Sequence, residues 1–328
     1  MLARPLAAYR ATGADSPLGD PARAHGVPLE GYFWRIVHPP SGVVVVALGA
    51  VCRNEDRAWG LATLAVHPGG FSRTVLTRTA VAAPDGFGMR AEGALHGDAQ
   101  GVTVDLGPDA ELDVRLNDPV LWPRRGGALG AAHVIPALPH YWHPVVLSAR
   151  VHGRLRAAEV VQNLDGAIAY AEKNWGSGFP GRWWWGHAAA FDDPGVSVSF
   201  AGGHVPLLGS TVAPTAVVIR LGRRVIALTP PLARSRVALG TDSWRLRSRA
   251  PGMTVEITGE GAGVPPHELL VPVPRAGRAE PRSRQHLAAR LELRVRRRGR
   301  VLFDGESILA GLELGDPLSD RPPGERPR

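Results

Sequence analysis

The segment EKNWGSGFPGRWWWGH, Glu172 to His187, gathers the side chains of this chain best suited to chemistry. It holds a carboxyl (Glu172), a carboxamide (Asn174), an imidazole (His187), four tryptophans and Lys173, the one lysine among 38 Lys and Arg residues. The wealth of Arg, Ala, Gly and Pro has the look of GC-rich coding. A lysine kept against that drift is either an accident of composition or a site that needs a compact ammonium, which can lose its proton when desolvated. Buried tryptophans supply apolar area, but each indole N–H then wants an acceptor, and Glu, Asn and His lie close by in sequence.

The elements around these residues read as strands. AIAYAEKNWG forms a strand entering a turn, SGFPGR the turn, and WWWGHAAAF the returning strand. Period-2 alternation then puts Trp183, Trp185 and His187 on one face and Trp184 on the other. On the first strand Glu172 and Asn174 face opposite to Lys173 and Trp175. The same alternation recurs elsewhere: in AELDVRL (110–116), Leu112, Val114 and Leu116 point one way and Glu111, Asp113 and Arg115 the other. No amphipathic helix of three turns stands out, and 40 Gly and 30 Pro punctuate short segments, so the fold class is all-β, antiparallel. The strands fall into two groups, each predicted to form a barrel or strongly curved sheet. The expected organisation is an N-terminal β domain over 20–118, an irregular proline-bearing linker over 119–143, a C-terminal β domain over 144–316 and a disordered tail over 317–328. The first twenty residues also read as poorly ordered.

Composition narrows the function classes. With 328 residues, 44% of them hydrophobic, the chain can bury a sizeable core. Cys52 is the single cysteine, which excludes an internal disulfide framework and a cysteine-rich zinc site; it reads as a buried, inert thiol. The N-terminus lacks a secretory pattern, and the longest apolar run, VVVVALGAV (43–51), is too short to span a bilayer, for which about 20 residues are needed. The expectation is a soluble, cytoplasmic protein that could still rest on a membrane surface. The formal charge is +8. The arginine-rich stretch ARLELRVRRRGRVLFDGES alternates with Leu291, Leu293 and Val295, as a half-buried strand with a solvated basic face does; membrane contact is the second reading, and nucleic acid is set aside. His140 and His143 form H-x-x-H without a third ligand nearby, so no metal site is assigned. GAGVPPHE (261–268) lacks phosphate-loop spacing.

The pattern E-K-N-W-G, F-P, W-x-W, carried here by Glu172 to Gly176, Phe179, Pro180, Trp183 and Trp185, resembles the signature hairpin of the tocopherol cyclase family. The resemblance extends to LEGYFWRIVHP (29–39) through Glu30 and Gly31, to YWHPVVLSARVHGRL (141–155), to VSVSFAGGHVPLLG (196–209) and to GESILAGLELGD (305–316). It implies two lipocalin-like, calycin-like β domains, as in relatives that include carotenoid hydratases. Two departures stand out. His187 stands where plant members usually carry Gln, and His140, Trp142 and His143 stand where the family tends to show an acidic residue and a Tyr-His pair.

What the resemblance implies is acid-catalysed closure of a chromanol-type ring on a prenylated quinol or related isoprenoid, with no redox cofactor and no metal. Such a reaction needs an apolar cavity, a desolvated acid at the alkene and cation-tolerant walls. Glu172 is the first candidate donor, since burial against indoles would raise its pKa; an ion pair closing the barrel mouth is the alternative. Glu30 is the second. Lys173 either holds a carboxylate or quinol oxygen or anchors the hairpin. His140, His143 and His187 could relay the phenolic proton or be structural. Trp175, Trp183, Trp185, Asn174, Tyr141, Trp142 and Phe179 are the expected substrate-binding residues. Capture of the same cation by water would make a hydratase, and binding without chemistry an isoprenoid carrier.

Overall fold

The structure is a computed structural model that describes residues 3–54, 57–123, 126–207, 209–261 and 263–315. It is almost wholly β. A 12-stranded antiparallel sheet holds every strand from Leu29 to Gly176, and a 10-stranded sheet holds the strands from Trp183 to Gly203 and from Thr215 to Gly315. A two-stranded ribbon, Val205–Leu207 with Ser210–Val212, completes the set. The first sheet is a nearly closed barrel and the second a half-barrel.

Patterning accounts for how the two are used. Ala110–Leu121 buries Leu112, Val114 and Leu116 and exposes Asp113 and Arg115, because one face meets the barrel core and the other meets water. Val43–Arg53 has no such alternation, since Val43, Val45 and Ala47 enter the barrel core while Val44 and Val46 pack against the second sheet. A strand buried on both faces has no polar side to show. In the second sheet Leu291, Leu293 and Val295 are buried. The flanking arginines of that strand are paired across it, Arg290 with Glu306 (2.7 Å) and Arg294 with Asp304 (2.8 Å). Among the described residues no helix is long and apolar enough to cross a membrane.

Three expectations need correction. The sheets do not change over in the 119–143 segment. The strand His140–Ala157 pairs back onto Ala110–Leu121, so the proline-bearing stretch is an excursion that returns to the same sheet. The change falls later, between Gly176 and Trp183. It follows that Ile168–Gly176 and Trp183–Ala188 are not a hairpin: the first pairs with Leu29–His38 and His140–Ala157, the second with Val196–Gly203 and Arg300–Gly315. SGFPGR is the crossover. Finally, residues 3–20 are ordered. Ala3–Arg10 is a helix, Arg10 pairs with Asp15 (3.0 Å), and the Trp175 indole donates to Gly13 O (2.7 Å). These ties are side chain to backbone or ionic, and local apolar periodicity does not reveal them. The 317–328 tail lies outside the described residues.

Candidate active site

The crossover brings the two strands of the tryptophan segment face to face on opposite sheets. Between them lies a cavity of about 550 Å³, a size that accommodates a small organic ligand. One wall carries Gly31, Phe33, Trp142, Glu172 and Asn174; the other carries Trp183, Trp185, Ser283, Gln285 and Glu313. Phe179 and His140 also line it.

Strand parity explains the first wall. Tyr170, Glu172 and Asn174 face outward from the barrel toward the second sheet, while Ala169 and Ala171 enter the barrel core. Gly31 is the strand neighbour of Asn174, and a Cβ there would lie 2.3 Å from Asn174 Oδ1, so glycine leaves room for the carboxamide. That oxygen has no hydrogen-bond partner among the described residues.

Glu172 is 4% exposed. Its Oε2 accepts from Trp142 Nε1 (2.7 Å), Tyr170 Oη (2.5 Å) and Trp185 Nε1 (2.9 Å). Burial pushes its pKa up to about 7; the three donors pull the other way, and the nearby Glu313 charge adds to the rise. A carboxyl so placed exchanges a proton near neutral pH inside an apolar chamber. The Tyr170 hydroxyl is driven well above its usual range by burial and by the Glu172 charge, so it stays a donor. His187 stacks on the Tyr170 ring at 4.1 Å, behind the cavity wall. Burial and the Arg35 charge hold its pKa well below the ordinary value, so the ring is neutral. Arg35 is fully buried and donates to Leu287 O and Leu309 O (2.7 Å each), tying the sheets together.

The other sequence candidates lie elsewhere. Glu30 and Lys173 point to the opposite face of their strands, under the N-terminal segment. Glu30 is met by His25 (2.6 Å), Arg53 (2.6 Å) and Lys173 (3.2 Å). Burial alone would raise its pKa, but the His25 hydrogen bond and the charges of Lys173, His25 and Arg53 hold it far below the usual carboxylate range. An ionised carboxylate off the cavity is not a proton donor to a substrate in it, which removes Glu30 from that role. Lys173 is fully buried; its Nζ donates to Ala22 O (3.0 Å) and Ala24 O (2.7 Å), and burial lowers its pKa to about 8, partly offset by Glu30. The geometry is that of an anchor for the N-terminal segment. Tyr141 and Trp175 stack on each other at 5.4 Å in the same region, away from the cavity. His143 accepts from Ala128 N (3.3 Å) and is likewise off the cavity. His140, unlike these, lines the cavity; it hydrogen-bonds Gly178 O (3.0 Å), and burial lowers its pKa to about 4.

Sequence reasoning missed Tyr170, Gln285 and Glu313. Glu313 Oε1 accepts from Trp183 Nε1 (2.8 Å) and Ser283 Oγ (2.9 Å), and burial raises its pKa. Its signal was a lone acid between Leu312 and Leu314, in a closing strand singled out for other reasons. Gly315 completes the arrangement: a Cβ there would lie 1.7 Å from the Trp183 ring, so only glycine lets the indole rest on that strand. Among the described residues no three His, Cys, Asp or Glu side chains converge as metal ligands.

Comparison with known proteins places the chain among relatives. The family model described as tocopherol cyclase-like matches residues 99–316. No curated protein sequence matches the chain. Among solved structures it is similar to kievitone hydratase from Nectria haematococca, at 9% identity over 95% of this chain and 96% of that one, with a TM-score of 0.56. It is also similar to CghA solved with Sch210972, at 10% identity over 88% of each chain, with a TM-score of 0.55. At these identities the likeness is one of fold.

Proposed function

The chain belongs to the tocopherol cyclase-like family, and from that premise we propose that it cyclises a prenylated quinol or a related isoprenoid to a chromanol-type ring by protonating an alkene. Membership supports an enzyme of the cyclase or hydratase type. The finer reading rests on one observation: a carboxyl with a pKa near 7 is buried in a tryptophan-walled apolar cavity. Glu172 gives its proton to one alkene carbon, leaving a tertiary cation on the other. The indoles of Trp142, Trp183 and Trp185 face that cation without offering a nucleophile, each able to contribute roughly 0.5–2 kcal/mol. The phenolic oxygen then attacks, a C–O bond forms and the O–H proton leaves, so substrate and product are isomers. The apolar walls exclude the bulk water that would otherwise capture the cation.

One observation favours hydration as a second reading. Asn174 Oδ1 is buried, unpartnered among the described residues and two residues from Glu172 on the cavity wall, where it could hold an attacking water. Incubation with 2-methyl-6-phytylbenzoquinol, read by mass spectrometry, separates the two. An isomer of unchanged mass supports cyclisation, and a gain of one water supports hydration. Tight binding without conversion would leave a carrier.

The pH profile is a second check. The active form is protonated Glu172, whose pKa is raised to about 7. Turnover should therefore fall about tenfold per pH unit once pH exceeds that value. A profile rising through pH 7 to 9 would contradict the acid role.

A further inference from the structure

The wall opposite Glu172 is polar in a way the reaction above does not use. Gln285 is fully buried and lines the cavity, and neither its Oε1 nor its Nε2 has a partner among the described residues. A buried carboxamide with both ends unmatched, facing a cavity, is a recognition element for a ligand. Gln285 lies directly across the strand pair from Glu313, which sets the two side chains about 5 Å apart on one face. Ser283 follows Gln285 on the same face of the same strand and holds Glu313 through Oε1, as does Trp183. The two tryptophans of W-x-W thus serve different carboxyls, Trp185 tethering Glu172 of the first sheet and Trp183 tethering Glu313 of the second. No Arg or Lys lines the cavity among the described residues, in a chain carrying +8.

We propose that Gln285, Ser283 and Glu313 form the subsite for the substrate's head group, a neutral phenol- or enol-type head with at least two oxygens, and that Glu313 accepts the hydroxyl proton as the ring closes. One oxygen pairs with the Gln285 amide, and the reacting hydroxyl donates to Glu313. The absence of a cation from the lining and the presence of two carboxyls select against phosphate, diphosphate and carboxylate heads. The apolar chain then runs toward Glu172, Trp142 and Phe33. The chemistry rests on the reading of the site as a cyclase. There the Glu172 O–H bond breaks as the new C–H bond forms, and the substrate O–H bond breaks as the C–O bond forms. The proton on Glu313 returns to Glu172 through water on product release, so no co-reactant is consumed.

Binding tests the subsite apart from the chemistry. Two probes differ only in oxygen: 2-geranylgeranylhydroquinone and geranylgeranylbenzene. Both are titrated by tryptophan-fluorescence quenching into the Glu172→Gln protein, so that conversion does not intervene. The hydroquinone should bind about tenfold or more tightly than the hydrocarbon, the worth of one or two well-made hydrogen bonds. Adding Gln285→Leu should remove most of that preference and leave hydrocarbon binding within about twofold, which also shows that the cavity is intact. Ser283→Ala should reduce the preference in the same direction. Equal binding of the two probes without the added substitutions, or an undiminished preference with Gln285→Leu, overturns the subsite. Full kcat in Glu313→Gln overturns its part as proton acceptor. If the preference follows Gln285 but the wild-type protein converts no quinol, the subsite stands and the cyclase reading falls.

Discussion

Replacing Glu172 by glutamine lowers turnover by about a thousandfold while the protein stays folded and still binds its ligand. Glutamine is nearly isosteric, and its amide oxygen can still accept from Trp142, Tyr170 and Trp185, the three donors that hold Oε2. What it lacks is a transferable proton. The measurement pairs initial rates with a thermal melt and a fluorescence titration, so that chemistry, folding and binding are read separately. Turnover close to that of the wild type would mean that the proton comes from elsewhere, and Glu30, ionised and off the cavity, is not a ready substitute.

Replacing Lys173 by methionine lowers stability by about 3–5 kcal/mol, the range seen when one partner of a buried ion pair is removed. The loss has two sources. Ala22 O and Ala24 O lose their donor, and Glu30 loses its buried ammonium partner. Arginine at the same position should not restore the loss, because a planar guanidinium needs more room than a fully buried site built around one ammonium provides. Since Lys173 is off the cavity, the remaining folded protein should turn over normally, and any loss of activity should follow the unfolded fraction. Urea unfolding together with limited proteolysis of the N-terminal segment reads both. An unchanged midpoint in Lys173→Arg would make the lone lysine an accident of composition.

The all-β class was legible because alternation survives wherever a strand has one wet face, as in Ala110–Leu121. Parity also placed Glu172 and Asn174 on one face, opposite Lys173 and Trp175, and that division separates the cavity from the anchor beneath the N-terminal segment. Which sheet a strand joins was not legible. SGFPGR has the residues of a tight turn, and only long-range pairing reveals that it carries the chain across to the second sheet. Proline density at 119–143 suggested a boundary for the same local reason, although the chain returns to the sheet it left. Glu313 and Gln285 were invisible as partners of the tryptophan segment because register between strands more than 90 residues apart leaves no periodic trace. Glu30 carried the right chemistry on the wrong face, and its partners His25, Arg53 and Lys173 come from separate stretches of chain.

The central claim is that this protein adds a proton from a carboxyl to a substrate carbon and closes a ring on it. Turnover of 2-methyl-6-phytylbenzoquinol in deuterium oxide tests this most directly, because the exchangeable proton of Glu172 becomes deuterium before each cycle. The account predicts a cyclised product carrying one non-exchangeable deuterium on the carbon next to the new C–O bond, made by the wild-type protein and lost in Glu172→Gln. A cyclised product without carbon-bound deuterium, or one that has gained the elements of water, would contradict it.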